Sequence, residues 1–471
     1  MPGGDSAHVL DAALRRELGL SDAGGVDSRA DAQRGTNETL IQAARRAMRD
    51  SRYELATLVC LHAADGVEAV DEPLEDALSD AFLGVRCDRV AADAHPGGAL
   101  TLAWSPDGAM VLSGGADAAV ALWAGDNLSP IARLDGHSDR VRHVEFNRIE
   151  PMFSSCGDDG VVIVWDAAVH EPLWRAEGEG ASALVARFSP CGRRVAVAAS
   201  PGSSGVRDAT TGELAFSFDA HDGVIVYDAV FSPDSRQVAT CGDDGRAIVW
   251  DVGSGAVVRE IQHARPVRSV TFDSTGSRLA TAAYDGSVII ADVADGAQLA
   301  RRSPRGRACR VMFVGADDAL WVTGEVGAHH MIERAGCSDE RTVALAEHDA
   351  HIHASRAAPD GERFASAGQD GATRVTTALE GEAQSVAVLR SAGGATLDVD
   401  LSWRGDRVAT ADADGSLRLW SLRDDVGAAR RAAHGPALLR AARLWRRASG
   451  RVITMRECEH LGLELDVAVS E

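Results

Sequence analysis

The chain has 471 residues, 45% hydrophobic and 25% charged, with 48 basic against 70 acidic side chains and a formal net charge of −22. This is the composition of folded globular protein, and a charge of that sign repels phosphate backbones, so nucleic-acid binding would need a strong local basic patch. Every basic residue is arginine; without lysine there is no phosphate-cradling G-x-x-x-x-G-K-[ST] loop and no lysine Schiff-base or general-base chemistry.

The opening "MPGGDSAHVLDAALRREL" contains no apolar signal-type run, and no segment approaches the roughly eighteen apolar residues of a membrane span. The expectation is a cytoplasmic chain with no membrane partner. Eight scattered cysteines without a C-x-x-C pair read as free thiols rather than disulfides or a zinc ribbon.

Residues 1–82 read as a helical segment with a flexible Gly/Asp-rich linker near 21–36. Leu10, Leu14 and Leu18 form one stripe of a first helix suited to docking. Thr36 or Asn37 caps a second helix, Ser51 and Glu54 make an S-x-x-E capping box, and Asp71 precedes a helix with Pro73 in its first turn.

From residue 84 to 422 the sequence repeats. "HSDRVRHVEFNRIEPMFSSCGDDGVVIVWD" from His137 and "HDGVIVYDAVFSPDSRQVATCGDDGRAIVWD" from His221 share one frame: a His, an alternating strand ending in Phe, a turn, a second strand, a Gly-Asp-Asp-Gly hairpin and a strand ending in Trp-Asp. The strand-ending marker falls at Trp123, Trp165, Arg207, Trp250, Ala291, Glu333, Thr376 and Trp420, in steps of 41 to 44 residues. Five repeats hold a His-to-marker step of 28 or 29 residues, starting at His95, His137, His221, His263 and His348. Residues 428–465 read as a basic helical segment, with eight arginines between Arg430 and Arg456 and a T-x-x-E box at Thr454 and Glu457.

The repeat resembles the WD40 family, which is named for the Trp-Asp pair seen at Trp165-Asp166 and Trp250-Asp251. That resemblance implies an all-β propeller of four-stranded blades with short helical flanks. The expected count is eight blades, each repeat giving one outer and three inner strands and "GVRCDRVAAD" closing the ring. Seven is the alternative if the sixth repeat is a distorted insertion. The resemblance also implies hydrogen-bonded tetrads: His95, Ser113, Asp117, Trp123; His137, Ser155, Asp159, Trp165; and His221, Thr240, Asp244, Trp250. Partial sets are His348, Ser366, Asp370; His263, Thr281, Asp285; and Thr410, Asp414, Trp420. Repeats three and six lack the set and are expected to be the softest.

Carried over by position, the family's partner-binding rim is Leu100, Arg140, Arg142, Asp158, Ile225, Tyr227, Asp243, Arg268, Tyr284, His351, His353 and Gln369. This divides the His-rich "EHDAHIHAS": His348 becomes structural, while His351 and His353 face the rim. The flanks "LATLVCLHAADGVEAVDEPLEDALSDAF" and "ITMRECEHLGL" resemble segments bracketing propellers in bacterial STAND-type signalling ATPases, although Cys458 stands where that pattern has Trp.

The function expected is a non-catalytic interaction scaffold or sensor in a bacterial signalling or defence complex. It binds a protein partner at the rim and through its flanking helices, with no catalytic residues, cofactor, metal or small-molecule substrate. Two alternatives stand beside it. One is a metal-dependent hydrolase using histidines of repeats six and seven, with His329 and His330 near Glu325 and Glu333 as ligands; neighbours on a strand face opposite ways, which makes joint ligation awkward. The other is a nucleic-acid-associated scaffold using the carboxy-terminal arginines.

Overall fold

The computed structural model describes residues 86–178, 182–200, 204–303, 308–314, 319–324, 329–333, 341–344, 348–358, 363–379, 382–391 and 394–422. The expected flanks, 1–82 with their linker and 428–465 with their capping boxes and basic run, lie outside them. So does Glu325.

The described residues fold into eight four-stranded antiparallel sheets. Their innermost strands are Ala99–Trp104, Val141–Phe146, Ala183–Phe188, Val226–Phe231, Val267–Phe272, Ala308–Val314, Ile352–Ala357 and Thr396–Leu401. Seven sheets are built from four consecutive strands. The eighth takes Thr396–Leu401, Arg407–Asp412 and Leu417–Ser421, and its outermost strand is Arg86–Ala91, from the start of the described chain. Each innermost strand packs against that of the next sheet, and the eighth packs against the first.

The cores lie between sheets rather than within them. Val144, Phe146, Phe153, Ile163 and Trp165 of the second sheet pack on Leu112, Val120 and Leu122 of the first. Leu102, Trp104 and Trp123 meet Ala409, Leu417 and Leu419 of the eighth. Between the sixth and seventh sheets, Trp321 stacks on Phe364 with ring centroids 4.8 Å apart. Both faces of a middle strand are thus covered, which is why "VVIVW" at 161–165 reads as an unbroken apolar run. The outermost strands keep one face in water and alternate, as in Pro130–Asp135.

The Gly-Asp-Asp-Gly hairpins need both glycines. Gly160 and Gly245 have φ of 73° and 76°, the left-handed region. A Cβ on Gly157 would lie 2.5 Å from the Arg140 carbonyl oxygen, so the turn could not close on the strand before it.

The register corrects one marker. Val111 pairs with Trp123, Phe153 with Trp165 and Val238 with Trp250; the matching residue of the sixth sheet, Leu320, pairs with Ile332, and Glu333 pairs with Ala319. The marker position is therefore Ile332 rather than Glu333. A slip of one residue reverses a strand's faces, and the sixth repeat lacks the His that fixes the frame elsewhere.

Candidate functional site

Two polar systems emerge from the repeats, one within the sheets and one along the channel that they surround. In the first sheet His95 Nδ1 lies 2.9 Å from Asp117, its Nε2 lies 2.7 Å from Ser113 Oγ, and Trp123 Nε1 donates to the same hydroxyl at 2.8 Å. The second sheet repeats this with His137, Asp159, Ser155 and Trp165, and the fourth with His221, Asp244, Thr240 and Trp250. A neutral imidazole satisfies every member: Nδ1–H donates to the carboxylate, and Nε2 accepts from the hydroxyl. Burial favours that neutral form, lowering the pKa of His95, His137 and His221 below the ordinary histidine value. The peptide N–H of His95 also donates to Gly415 O across the junction of the first and eighth sheets, at 3.0 Å.

The partial sets are completed in different ways. His348 pairs with Asp370 at 3.0 Å and Ser366 at 2.8 Å, and Asp370 is held down to about 2, its bonds to His348 and two peptide N–H groups outweighing burial. In the fifth sheet His263 does not reach Asp285. Ser287 stands between them, 2.8 Å from His263 Nδ1 and 2.5 Å from Asp285. In the eighth, Trp420 donates to Thr410 at 3.2 Å, while buried Asp412 pairs with Arg418 and accepts from Thr396 at 2.9 Å. Asp414 instead receives the Ser416 hydroxyl. Where the set is missing, Val197 and Val322 occupy the position of Ser113 and are buried, so apolar packing replaces the network and leaves no unpaired hydroxyl.

The channel system depends on a feature absent from the sequence pattern. Every innermost strand has a β-bulge after its first residue, where the pairing register shifts. A bulge re-aims the extra side chain. Leu100, Arg142, Leu184, Tyr227, Arg268, His353 and Leu397 occupy that position, and all line a cavity of about 370 Å³ at one mouth of the channel, joined there by Tyr284 and His351.

Of the twelve rim residues expected from the sequence, seven therefore line this mouth: Leu100, Arg142, Tyr227, Arg268, Tyr284, His351 and His353. The other five do not. Asp158 and Asp243 stand just outside, pairing with Arg142 at 2.8 Å and accepting the Tyr227 hydroxyl at 2.8 Å. The backbone N–H groups of Asp158, Asp243 and Gln369 donate to the carbonyls of Arg140, Ile225 and His351, bonds that brace the rim. Arg268 lies over two rings, 4.1 Å from the centroid of Tyr227 and 5.3 Å from that of Tyr284. The His351 and His353 rings meet edge to face at 5.0 Å.

Below the mouth the strands alternate again, and a set of charges unmarked by the repeat frame faces inward. Arg187 pairs with Asp228 at 3.1 Å and Arg356 with Asp398 at 3.5 Å, each across neighbouring sheets. Asp398 also accepts the Leu102 N–H and Asp400 the Trp104 N–H. Burial pushes Glu145 up to about 7 and Asp400 to about 6, and it lowers Arg310 to about 10 with help from Arg356 and Arg187. The signal that could have found them is an ionisable residue at the inward phase of an otherwise apolar strand, as with Arg187 in "ALVARF". Among the described residues no cluster of three or more His, Cys, Asp or Glu side chains is arranged to hold a metal ion. No helix among them is long and apolar enough to cross a membrane.

Five stretches, residues 89–124, 128–166, 212–251, 255–292 and 384–421, match the family "WD domain, G-beta repeat". WD repeat-containing protein 1 of Gallus gallus is 31% identical over 143 residues, covering 30% of this chain and 23% of that protein. WD repeat-containing protein SL1-17 of Schistosoma mansoni is 26% identical over 157 residues, 33% of this chain and 52% of its own. The U5 small nuclear ribonucleoprotein 40 kDa protein of Dictyostelium discoideum is 26% identical over 153 residues, 32% and 42% respectively. The chain thus spans between about a quarter and a half of these relatives' lengths. The computationally designed Ika8 protein superposes with a TM-score of 0.60 at 21% identity over 70% of this chain and all of that one, a likeness of fold alone. The five segments match WD40 repeats, and together with the WD-repeat relatives they support the WD40 family.

Proposed function

We propose that the chain is an eight-bladed WD40 propeller spanning residues 84–422 that serves as a non-catalytic scaffold, with a protein partner bound at the channel mouth bearing Tyr227, Arg268, Tyr284, His351 and His353. The observation that carries this reading is the convergence at one cavity of bulge residues from different sheets, with Arg268 held against two tyrosine rings. Tyrosine anchors interfaces because it buries much area at little entropic cost and keeps a polar tip, and arginine because its planar guanidinium stacks on rings and offers several donors. The names of two relatives, a ribonucleoprotein component and the actin-interacting protein 1 of Drosophila melanogaster, are in keeping with assembly into complexes. The eight-blade count is supported by the eight sheets and by the outer position of Arg86–Ala91 in the last of them.

The chain is further read as a cytoplasmic subunit of a bacterial signalling or defence complex, with segments 1–82 and 428–465 as helical docking elements. The STAND-like "ITMRECEHLGL" supports this. Affinity purification of the full chain from its native cell tests the proposal. A stoichiometric protein partner should be recovered and then lost from a Tyr227→Ala, Arg268→Ala double variant that melts like the parent. Retention of that partner by the double variant would place the interface elsewhere.

A further inference from the structure

We infer that the mouth of the channel is an anion-binding pocket, built to receive a carboxylate or phosphoryl side chain of a partner peptide between Arg268 and Arg310; this rests on the scaffold reading and specifies its ligand chemistry. Five arginines line the mouth, against two carboxylates, in a molecule whose net charge is −22. Three of the five are already neutralised: Arg142 by Asp158, Arg187 by Asp228 and Arg356 by Asp398. Asp243, the remaining acid at the rim, accepts the Tyr227 hydroxyl. Arg268 and Arg310 form no ion pair among the described residues.

The two lie on adjacent innermost strands, Val267–Phe272 and Ala308–Val314. Arg268 is the bulge residue, and Arg310 is the next to face the channel below that level. Arg310 is half-buried beneath the mouth, with the like charges of Arg187 and Arg356 near it and the carboxylates of Asp228 and Asp398, its nearest acids, already paired with those two arginines. An enclosed cation whose nearest carboxylates are committed to other arginines is under-compensated, and an incoming anion would relieve that cost while gaining charge-assisted bonds from two guanidinium groups. The Tyr227 and Tyr284 rings hold Arg268 in place before any ligand arrives, which reduces the side-chain ordering lost on binding. His353, exposed on the seventh sheet, borders the same side of the opening.

The test uses the full chain and three fluorescein-labelled probes: hexaglutamate, hexaglutamine, and a Gly/Ser hexapeptide with one phosphoserine. Fluorescence anisotropy should show saturable binding of an acidic probe at least about tenfold tighter than hexaglutamine, weakening as salt screens the charges. Tighter binding of hexaglutamate identifies a carboxylate source and tighter binding of the phosphopeptide a phosphoryl one. Either Arg310→Gln or Arg268→Gln should weaken binding about tenfold, the loss of a charge-assisted contact, without lowering the melting temperature. Should Arg310→Gln fail to fold, Arg310→Lys supplies the reading, keeping a charge but losing the fork and binding less tightly than the parent.

Equal binding of the acidic and neutral probes, no saturable binding of either acidic probe, or undiminished binding by both folded glutamine variants overturns the inference. Displacement of the acidic probe by millimolar inorganic phosphate alone, with no preference between peptides, also overturns it in favour of a free anion. A native partner that stays bound to Arg310→Gln and Arg268→Gln but leaves Tyr227→Ala would remove this inference and leave the scaffold standing; indifference to all three would remove both.

Discussion

Replacing Asp159 by alanine removes a carboxylate whose side chain is only 3% exposed and which accepts three hydrogen bonds: from His137 Nδ1 at 3.0 Å, from the Ser138 N–H at 2.9 Å and from the Val161 N–H at 3.0 Å. Hydrogen bonds to an ionised acceptor are worth about 1.5–3 kcal/mol each, but water can reach the exposed Ser138 N–H once the carboxylate is gone, so the net loss is roughly 3 kcal/mol. For a domain of more than 250 residues, each kcal/mol moves the melting temperature by about 2 °C, which gives a fall of roughly 6 °C. Scanning calorimetry on Asp159→Ala and the parent measures it directly. The adjacent Asp158→Ala, which frees only an ion pair whose arginine is 44% exposed, serves as the control and should move the transition by less than about 2 °C. If the two variants melt alike, the His–Ser–Asp–Trp network contributes no more than a surface ion pair, and the account of the sheet interiors is wrong.

The remaining predictions concern the other sheets and the channel. In the seventh sheet, Gly368→Ala would place a Cβ 2.5 Å from His348 Nδ1 and 2.7 Å from Asp370, so it should lower the melting temperature at least as much as His348→Ala. His353→Ala should weaken partner binding in a pull-down and leave the melting temperature unchanged, since that side chain is exposed while His348 is buried. Because the pKa of Glu145 is raised in the folded protein to about 7 from an ordinary 4.5, its stability contribution is present at low pH and is lost as pH rises through about 7. Glu145→Gln should therefore melt above the parent near about pH 8, with the gap closing below about pH 5, as followed by circular dichroism. His263 is the opposite case. Its folded pKa is lowered to about 4 by burial, so stability is full above about 6.5 and declines as pH falls towards 4, a decline that His263→Gln should reduce.

The four-stranded all-β repeat was legible because its signals are local. A His at the head of the frame, Gly-Asp-Asp-Gly at the hairpin and Trp-Asp at the strand end each act within one repeat of about 42 residues, and hairpin chemistry sets register without distant partners. Where those residues are missing the reading weakened: in the sixth repeat the marker slipped from Ile332 to Glu333. The rim was only partly legible. Position alone named Arg142, Tyr227, Arg268 and His353, but Leu184 and Leu397 hold the same bulge position in repeats whose other signals are weaker.

The sequence by itself determined the phase of the repeat, and with it the residues that share one environment: His95, His137, His221 and His348 each meet a hydroxyl 18 or 19 positions on. It also determined which histidine of "EHDAHIHAS" joins a buried hydrogen-bonded set, since His348 stands at that phase while His351 and His353 do not. Only the tertiary structure decided which charges meet. Arg187 finds Asp228 and Arg356 finds Asp398 about one repeat away, and Arg407 reaches the Gly125 carbonyl across 282 residues. These are pairings between sheets, set by the angle at which sheets surround a channel and by a bulge in every inner strand, and neither is written in the alternation of a single strand. That geometry leaves Arg268 and Arg310 facing the opening with no ion pair among the described residues.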